Sequence, residues 1–118
     1  MFKAESVPVV IQDGDGKVVA EYGIKKKTVA ISLRQARMLE LIDSEDEKIR
    51  GYYFQLIALI CTLCDKKGNL MFPEKDYPEL TAFEKFDDID LEIFTVLTKA
   101  YVEVNPLEPT LSAKKKKS

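Results

Sequence analysis

Residues 7–22, VPVVIQDGDGKVVAEY, decide the fold class of this chain. Val7 to Gln12 and Lys17 to Tyr22 are runs rich in β-branched residues. Between them lies Asp13-Gly14-Asp15-Gly16, where glycine accepts a positive φ and aspartate bonds the nearby backbone. This pattern predicts a β-hairpin. Gly23 and Lys25-Lys26-Lys27 read as the next turn, and Thr28-Val29-Ala30-Ile31 as a short third strand.

Working outward from the hairpin, the sequence turns helical. Ser32 with Gln35 has capping-box spacing, which predicts a helix from Ser32 to about Asp43. Ser44 with Glu47 repeats it, and Glu45, Asp46 and Glu47 suit the positive end of a helix dipole. The second helix is therefore expected over about Glu45 to Asp65. It is apolar nearly all round through Leu56-Ile57-Ala58-Leu59-Ile60, the mark of a central helix, and Lys66-Lys67-Gly68-Asn69 is read as its stop. Leu70 to Phe72 is a short extended piece halted by Pro73, and residues 74–86 read as loop with one helical turn near Thr81 to Lys85. A last helix over about Asp88 to Val104 places Ile89, Ile93, Val96, Leu97, Ala100, Tyr101 and Val104 on one face. The expected architecture is α+β: a small N-terminal antiparallel sheet, hairpin plus short strand, on three main helices. Residues 1–105 form one domain in this reading, and 106–118 a flexible, lysine-rich tail.

Composition narrows the chemistry. The 118 residues include 46% hydrophobic and 32% charged side chains, the balance of a folded domain and not of a disordered chain. The net charge of −2 is uneven: residues 67–113 carry four Lys against ten Asp and Glu, and Lys114, Lys115, Lys116 and Lys117 return four positive charges. An acidic half lacks the clustered cations that a phosphate groove needs, so no nucleic-acid partner is expected. With no histidine, acid–base catalysis near neutral pH and His-based nucleophile pairs lose their commonest member. The first residues, Met1-Phe2-Lys3-Ala4-Glu5, have no signal-peptide core. The longest uncharged stretch, Gly51 to Cys64, falls short of the roughly 20 residues that span a bilayer. A soluble cytoplasmic protein without a membrane partner is expected.

Each candidate motif has a plain reading beside it. Asp13-Gly14-Asp15-Gly16 opens like a calcium loop, but Lys17, Val18 and Ile24 stand where that loop needs a ligand, a glycine and a ligand. Cys61-Thr62-Leu63-Cys64 has redox spacing but falls near the wrong end of an apolar helix, so two buried core thiols are expected. Asp87, Asp88, Asp90 and Glu92 fit an acidic helix opening better than a metal or catalytic set. No catalytic residues, metal site or cofactor are expected, and the chain reads as a non-enzyme. Tyr52-Tyr53-Phe54 reads as core packing, but three successive rings cannot share one face of a helix, so at least one points elsewhere, where a protein-contact surface is the alternative reading. The run Lys114-Lys115-Lys116-Lys117 has a second meaning at the level of the message, because lysine codons are adenine-rich and such a run can encode a stretch on which ribosomes slip.

The acidic-opened helix Asp87-Asp88-Ile89-Asp90-Leu91-Glu92-Ile93-Phe94, its exit at Val104-Asn105-Pro106 and the terminal Lys114-Lys115-Lys116-Lys117 resemble the tail assembly chaperones of long-tailed, lambda-like bacteriophages, in their short form. The size and the order of β-rich and helical segments are similar too. The resemblance implies a protein that binds the tape measure protein and keeps it soluble while the tail tube assembles. It implies a frameshift at Lys114, Lys115, Lys116 and Lys117, a longer product that recruits tail tube protein, action in the host cell cytoplasm and absence from the mature virion. Self-association would multiply weak contacts into useful avidity. The contact surface expected on this basis is the last helix with loop 73–86: Phe83, Phe86 and Phe94 supply apolar contacts, and Asp88 and Glu92 an acidic rim. The alternative is a small head–tail adaptor or other morphogenesis protein retained in the virion.

Overall fold

The structure, a computed structural model, describes residues 6–77, 89–107, Leu111 and Ala113. Two strands open the chain, β1 (Ser6–Gln12) and β2 (Val18–Lys25), paired antiparallel as the sequence predicts. The register sets Val7 opposite Ile24, Val9 opposite Tyr22 and Ile11 opposite Ala20, so the inward residues of both strands meet on one face. The turn closes on Asp13, whose Oδ1 accepts from the N–H groups of Asp15 at 2.9 Å and Lys17 at 3.0 Å, with Gly16 at φ +81°. That carboxylate is engaged by backbone, as a hairpin turn requires.

The third strand is not Thr28–Ile31. Those residues start a helix, α1 (Val29–Glu40), and Thr28 caps it by accepting from the Ile31 N–H at 3.2 Å. The β-branched run is overridden because Ile31, Gln35 and Met38 share a helical face that packs inward. The helix thus begins before Ser32, and Gln35 is spent in the interior instead of in a capping box. The strand is β3 (Leu63–Cys64), pairing antiparallel with Gly23 and Ile24 to give the order β1-β2-β3. Gly23 is therefore a strand residue, and a Cβ there would run into the Ser6 side chain.

Helix α2 (Glu47–Thr62) starts at Glu47 and not at Glu45. Its cap is Asp46, whose Oδ1 accepts from Lys48 and Ile49, while Ser44 sits outside the helix and accepts from the Asp46 N–H. The helix ends at Thr62 and not at Asp65, because Leu63 and Cys64 gain a backbone partner in β2. Lys66-Lys67-Gly68-Asn69 does not stop a helix. It closes a second tight turn built like the first, with Asp65 Oδ1 accepting from Lys67 and Asn69 and Gly68 at φ +88°. Leu70 then bridges back to Cys64.

Helix α3 (Leu91–Val104) is capped by Asp90, whose Oδ1 accepts from Glu92 at 2.8 Å and Ile93 at 3.2 Å. Phe94 and Leu97 point into the core and Val96 points out, a correction to the expected face. The expected turn at Thr81–Lys85 and most of the tail 106–118, including Lys114, Lys115, Lys116 and Lys117, lie outside the described residues. The result is the expected α+β arrangement: a three-stranded antiparallel sheet packed with three helices among the described residues.

The last helix is tied to the sheet by one side chain. Asn105 Oδ1 accepts from the Lys27 N–H at 2.8 Å, and its Nδ2 donates to the Lys25 carbonyl at 3.1 Å. Lys27 also lies over the Tyr101 ring, 5.8 Å from its centre. Asn105→Ala is expected to remove about 1–3 kcal/mol, since two backbone groups lose their partner. The melting temperature should fall by roughly 4 °C for each kcal/mol, and an unchanged melting curve would refute the role of this latch.

Candidate functional site

The amino-terminal halves of α2 and α3 share a groove of about 470 Å³. From α2 come Glu47, Lys48, Gly51, Tyr52 and Gln55; from α3 come Leu91, Phe94 and Thr95. Phe94 is buried, with only an edge towards the groove, whereas Tyr52 is 57% and Leu91 66% exposed. The three consecutive rings of α2 divide as helical geometry demands: Tyr53 turns half inward, and Tyr52 and Phe54 stand out on different sides. Gly51 sits just before them inside the helix, where glycine costs about 0.5–1 kcal/mol relative to alanine. A Cβ at Gly51 would meet nothing within 4 Å. The glycine answers to no clash within the described residues, and its effect is to leave the groove open.

Helix α1 carries a second exposed apolar surface. It buries Arg34 and Gln35 and shows Val29 (79% exposed), Leu33 and Leu41 to solvent. Gln35 donates to the Tyr101 hydroxyl at 3.2 Å and Arg34 Nη2 to the Tyr77 carbonyl at 3.3 Å, while Arg34 Nε finds no partner among the described residues. At its outer edge Arg37 pairs with Glu74. Met38 is buried beside these polar groups and Ile31 and Leu39 pack against the core, so the inner face of α1 is mixed and Val29 and Leu33 are apolar groups left on its surface.

Of the residues expected to touch a partner, Glu92 is exposed on the first turn of α3 and Phe94 lies at the base of the groove. Phe83, Phe86 and Asp88 lie outside the described residues, as do the four tail lysines, Lys114, Lys115, Lys116 and Lys117. Sequence reasoning missed Gly51, Tyr52 and Leu91 as one surface. The legible signals were a glycine inside a helix beside an unplaceable aromatic triplet, and a leucine directly after the capping Asp90.

Neither cysteine offers redox chemistry. Both are free and buried, and burial raises both thiols, Cys61 to about 11 against an opposing pull from Arg34. Among the described residues no group of His, Cys, Asp and Glu is arranged to hold a metal ion. Also among them, no helix is long and apolar enough to cross a membrane.

Two outcomes test this description. The unfolded chain loses the Cys61 proton near 9.0 while the folded chain holds it to about 11. Above pH 9 the unfolded state thus binds fewer protons, and stability should fall as pH rises through that window. Urea midpoints at pH 8 and pH 10.5 measure the fall, which should shrink in Cys61→Ala. Gly51→Ala should raise stability by about 0.5–1 kcal/mol; a loss of stability would mean that the glycine serves the fold and not the groove.

In sequence, no family model and no curated protein matches the chain. In structure, it is similar to the solved tail assembly chaperone of bacteriophage HK97, with a TM-score of 0.57 and 15% identity, over 86% of this chain and 85% of that one. What the two proteins share at that identity is the fold.

Proposed function

We propose that this chain is a phage tail assembly chaperone that binds the tape measure protein and keeps it soluble while the tail tube assembles. The observation that carries the reading is the likeness in fold to the HK97 chaperone over most of both chains. The exposed surfaces suit the task physically. A tape measure is a long helical rod with apolar stripes, and an open groove walled by Tyr52 and Leu91 is the form of site that accepts the apolar face of a helix. Such contacts are individually weak, and repetition along a rod with several copies bound makes them effective. Phe94 lines the groove and Glu92 is exposed on the first turn of α3, and Phe83, Phe86 and Asp88 are further contact residues in this proposal. The chain acts in the host cytoplasm and leaves before the virion matures. Lys114, Lys115, Lys116 and Lys117 mark a frameshift site, and the extended product recruits tail tube protein.

Co-expression with the tape measure protein encoded by the same phage tests the reading. The wild-type chain should keep that protein soluble and co-purify with it. Leu91→Asp and Tyr52→Asp should lower its recovery at least tenfold, and reversing Glu92 and Asp88 to lysine should lower it less. A tape measure that stays insoluble beside the wild-type chain defeats the function, whereas equal capture by Leu91→Asp defeats only the site. Detection of the chain in purified virions by mass spectrometry would favour the head–tail adaptor instead.

A further inference from the structure

Lysines far apart in the sequence meet at the end of the molecule opposite the groove. Lys25 closes β2, Lys26 and Lys27 follow it, and Asn105 holds the far end of α3 there through the Lys27 N–H and the Lys25 carbonyl. The turn that carries Lys66 and Lys67 packs at the same place: a Cβ on Gly68 would lie 3.7 Å from Cβ of Ser6, the strand partner of Lys25. Lys26, Lys27, Lys66 and Lys67 are exposed, and among the described residues none of these five lysines is in an ion pair. Beyond Asn105 the sequence adds Lys114, Lys115, Lys116 and Lys117. The acids at this end are Asp65, whose Oδ1 is taken by the N–H groups of Lys67 and Asn69, then Glu103 and, in the sequence, Glu108.

The same end carries the three most exposed large apolar side chains among the described residues. Val29, two residues past Lys27, is 79% exposed, and Leu107 and Leu111, two and six past Asn105, are 95% and 87% exposed. Six residues extend at most about 20 Å, so both leucines stay near the lysines. The charge reverses at the other end of α3, 14 residues and about 21 Å away. Glu45, Asp46, Glu47, Asp90 and Glu92 stand there against Lys48 and Arg50. Lysines beside exposed aliphatic groups supply the two signals that hold a protein on an anionic bilayer, charge at the headgroups and apolar side chains below them. A nucleic acid fits less well, because Tyr52 and Phe54, the exposed rings among the described residues, stand in the amino-terminal half of α2, and the basic end offers bases no stacking platform. We propose that this end docks on an anionic lipid surface, with Val29, Leu107 and Leu111 at the acyl boundary, the lysines at the headgroups and the acidic groove turned to water. The lack of a spanning segment predicts no membrane partner, but a surface contact needs no span. The contact stands on charge and exposure, not on the chaperone reading, and leaves the groove free for a protein.

Flotation of the purified full chain with lipid vesicles tests the contact. At 50 mM NaCl the chain should float with vesicles that are one-third phosphatidylglycerol and stay behind with pure phosphatidylcholine, and at 500 mM NaCl the floated fraction should fall. Each lysine near an anionic surface strengthens binding about fivefold, so Lys26→Gln, Lys66→Gln and Lys67→Gln together should weaken it at least tenfold. Leu107→Ser with Leu111→Ser should also weaken it at least tenfold and keep the salt dependence. All five side chains are exposed or outside the helices and strands, so both variants should retain the wild-type circular dichroism spectrum. A duplex DNA oligonucleotide and polyglutamate stand for the other polyanions, and both should bind more weakly than the anionic vesicles. The proposal is overturned by a wild-type chain that does not float or floats equally with the neutral vesicles, by either variant floating as wild type does, or by DNA or polyglutamate binding as tightly as the vesicles. Because no tape measure protein is present, failure here leaves the chaperone reading standing, and failure of that reading leaves this contact standing.

Discussion

Eight consecutive residues, Ile57 to Cys64, are sealed from water, and the rest of the molecule is arranged to keep them so. A helix segment that is apolar on every side has no face to give to solvent, so elements must close on it from all directions. The sheet, α1 and α3 do this, with Ile24, Met38 and Leu97 among the side chains that complete the enclosure. Within the sealed stretch the backbone changes from helix to strand at Leu63 without stranding its polar groups. Thr62 returns its hydroxyl to the Ala58 carbonyl at 2.7 Å, and Leu63 and Cys64 pair with β2.

The same helix supplies the surface. Its carboxy-terminal half is core, and its amino-terminal half emerges with Gly51, Tyr52 and Gln55 facing α3 across open space. A rigid buried half holds an exposed half in place, which gives a binding wall definite geometry without catalytic machinery. Asn105 does the corresponding task for α3 by fixing its far end to Lys25 and Lys27. Helix α1 completes the pattern: it commits Arg34, Gln35 and Met38 to the interior and leaves Val29 and Leu33 outside. Both exposed surfaces thus belong to helices whose other side or other half is fully engaged.

Local signals are legible where they are self-sufficient. The Asp13–Gly16 turn closes through its own side chain and glycine, so the hairpin can be read directly. The Asp65–Gly68 turn uses the same device, yet its sequence reads as a helix stop because it follows an apolar run whose periodicity cannot separate buried helix from buried strand. Thr28–Ile31 misleads for the opposite reason: β-branched residues favour strand on their own, and only the face shared by Ile31, Gln35 and Met38 makes them helical. In α3 the sequence pattern sets Val96 inward, and the structure turns it to solvent. A helical stripe fixes relative positions, not which neighbour it meets.

By itself the sequence determined the α+β class, the hairpin, the helical remainder and the lack of a histidine-based chemistry, since these follow from turn residues, periodicity and composition. Tertiary structure alone decided that Leu63 and Cys64 form the third strand, that Asn105 latches α3 to β2, and that Gly51, Tyr52 and Leu91 share one groove. The physical reason is separation along the chain: strand partners and groove walls lie roughly 40 to 80 residues apart, and no local pattern specifies which distant segment will supply the missing backbone or apolar partner.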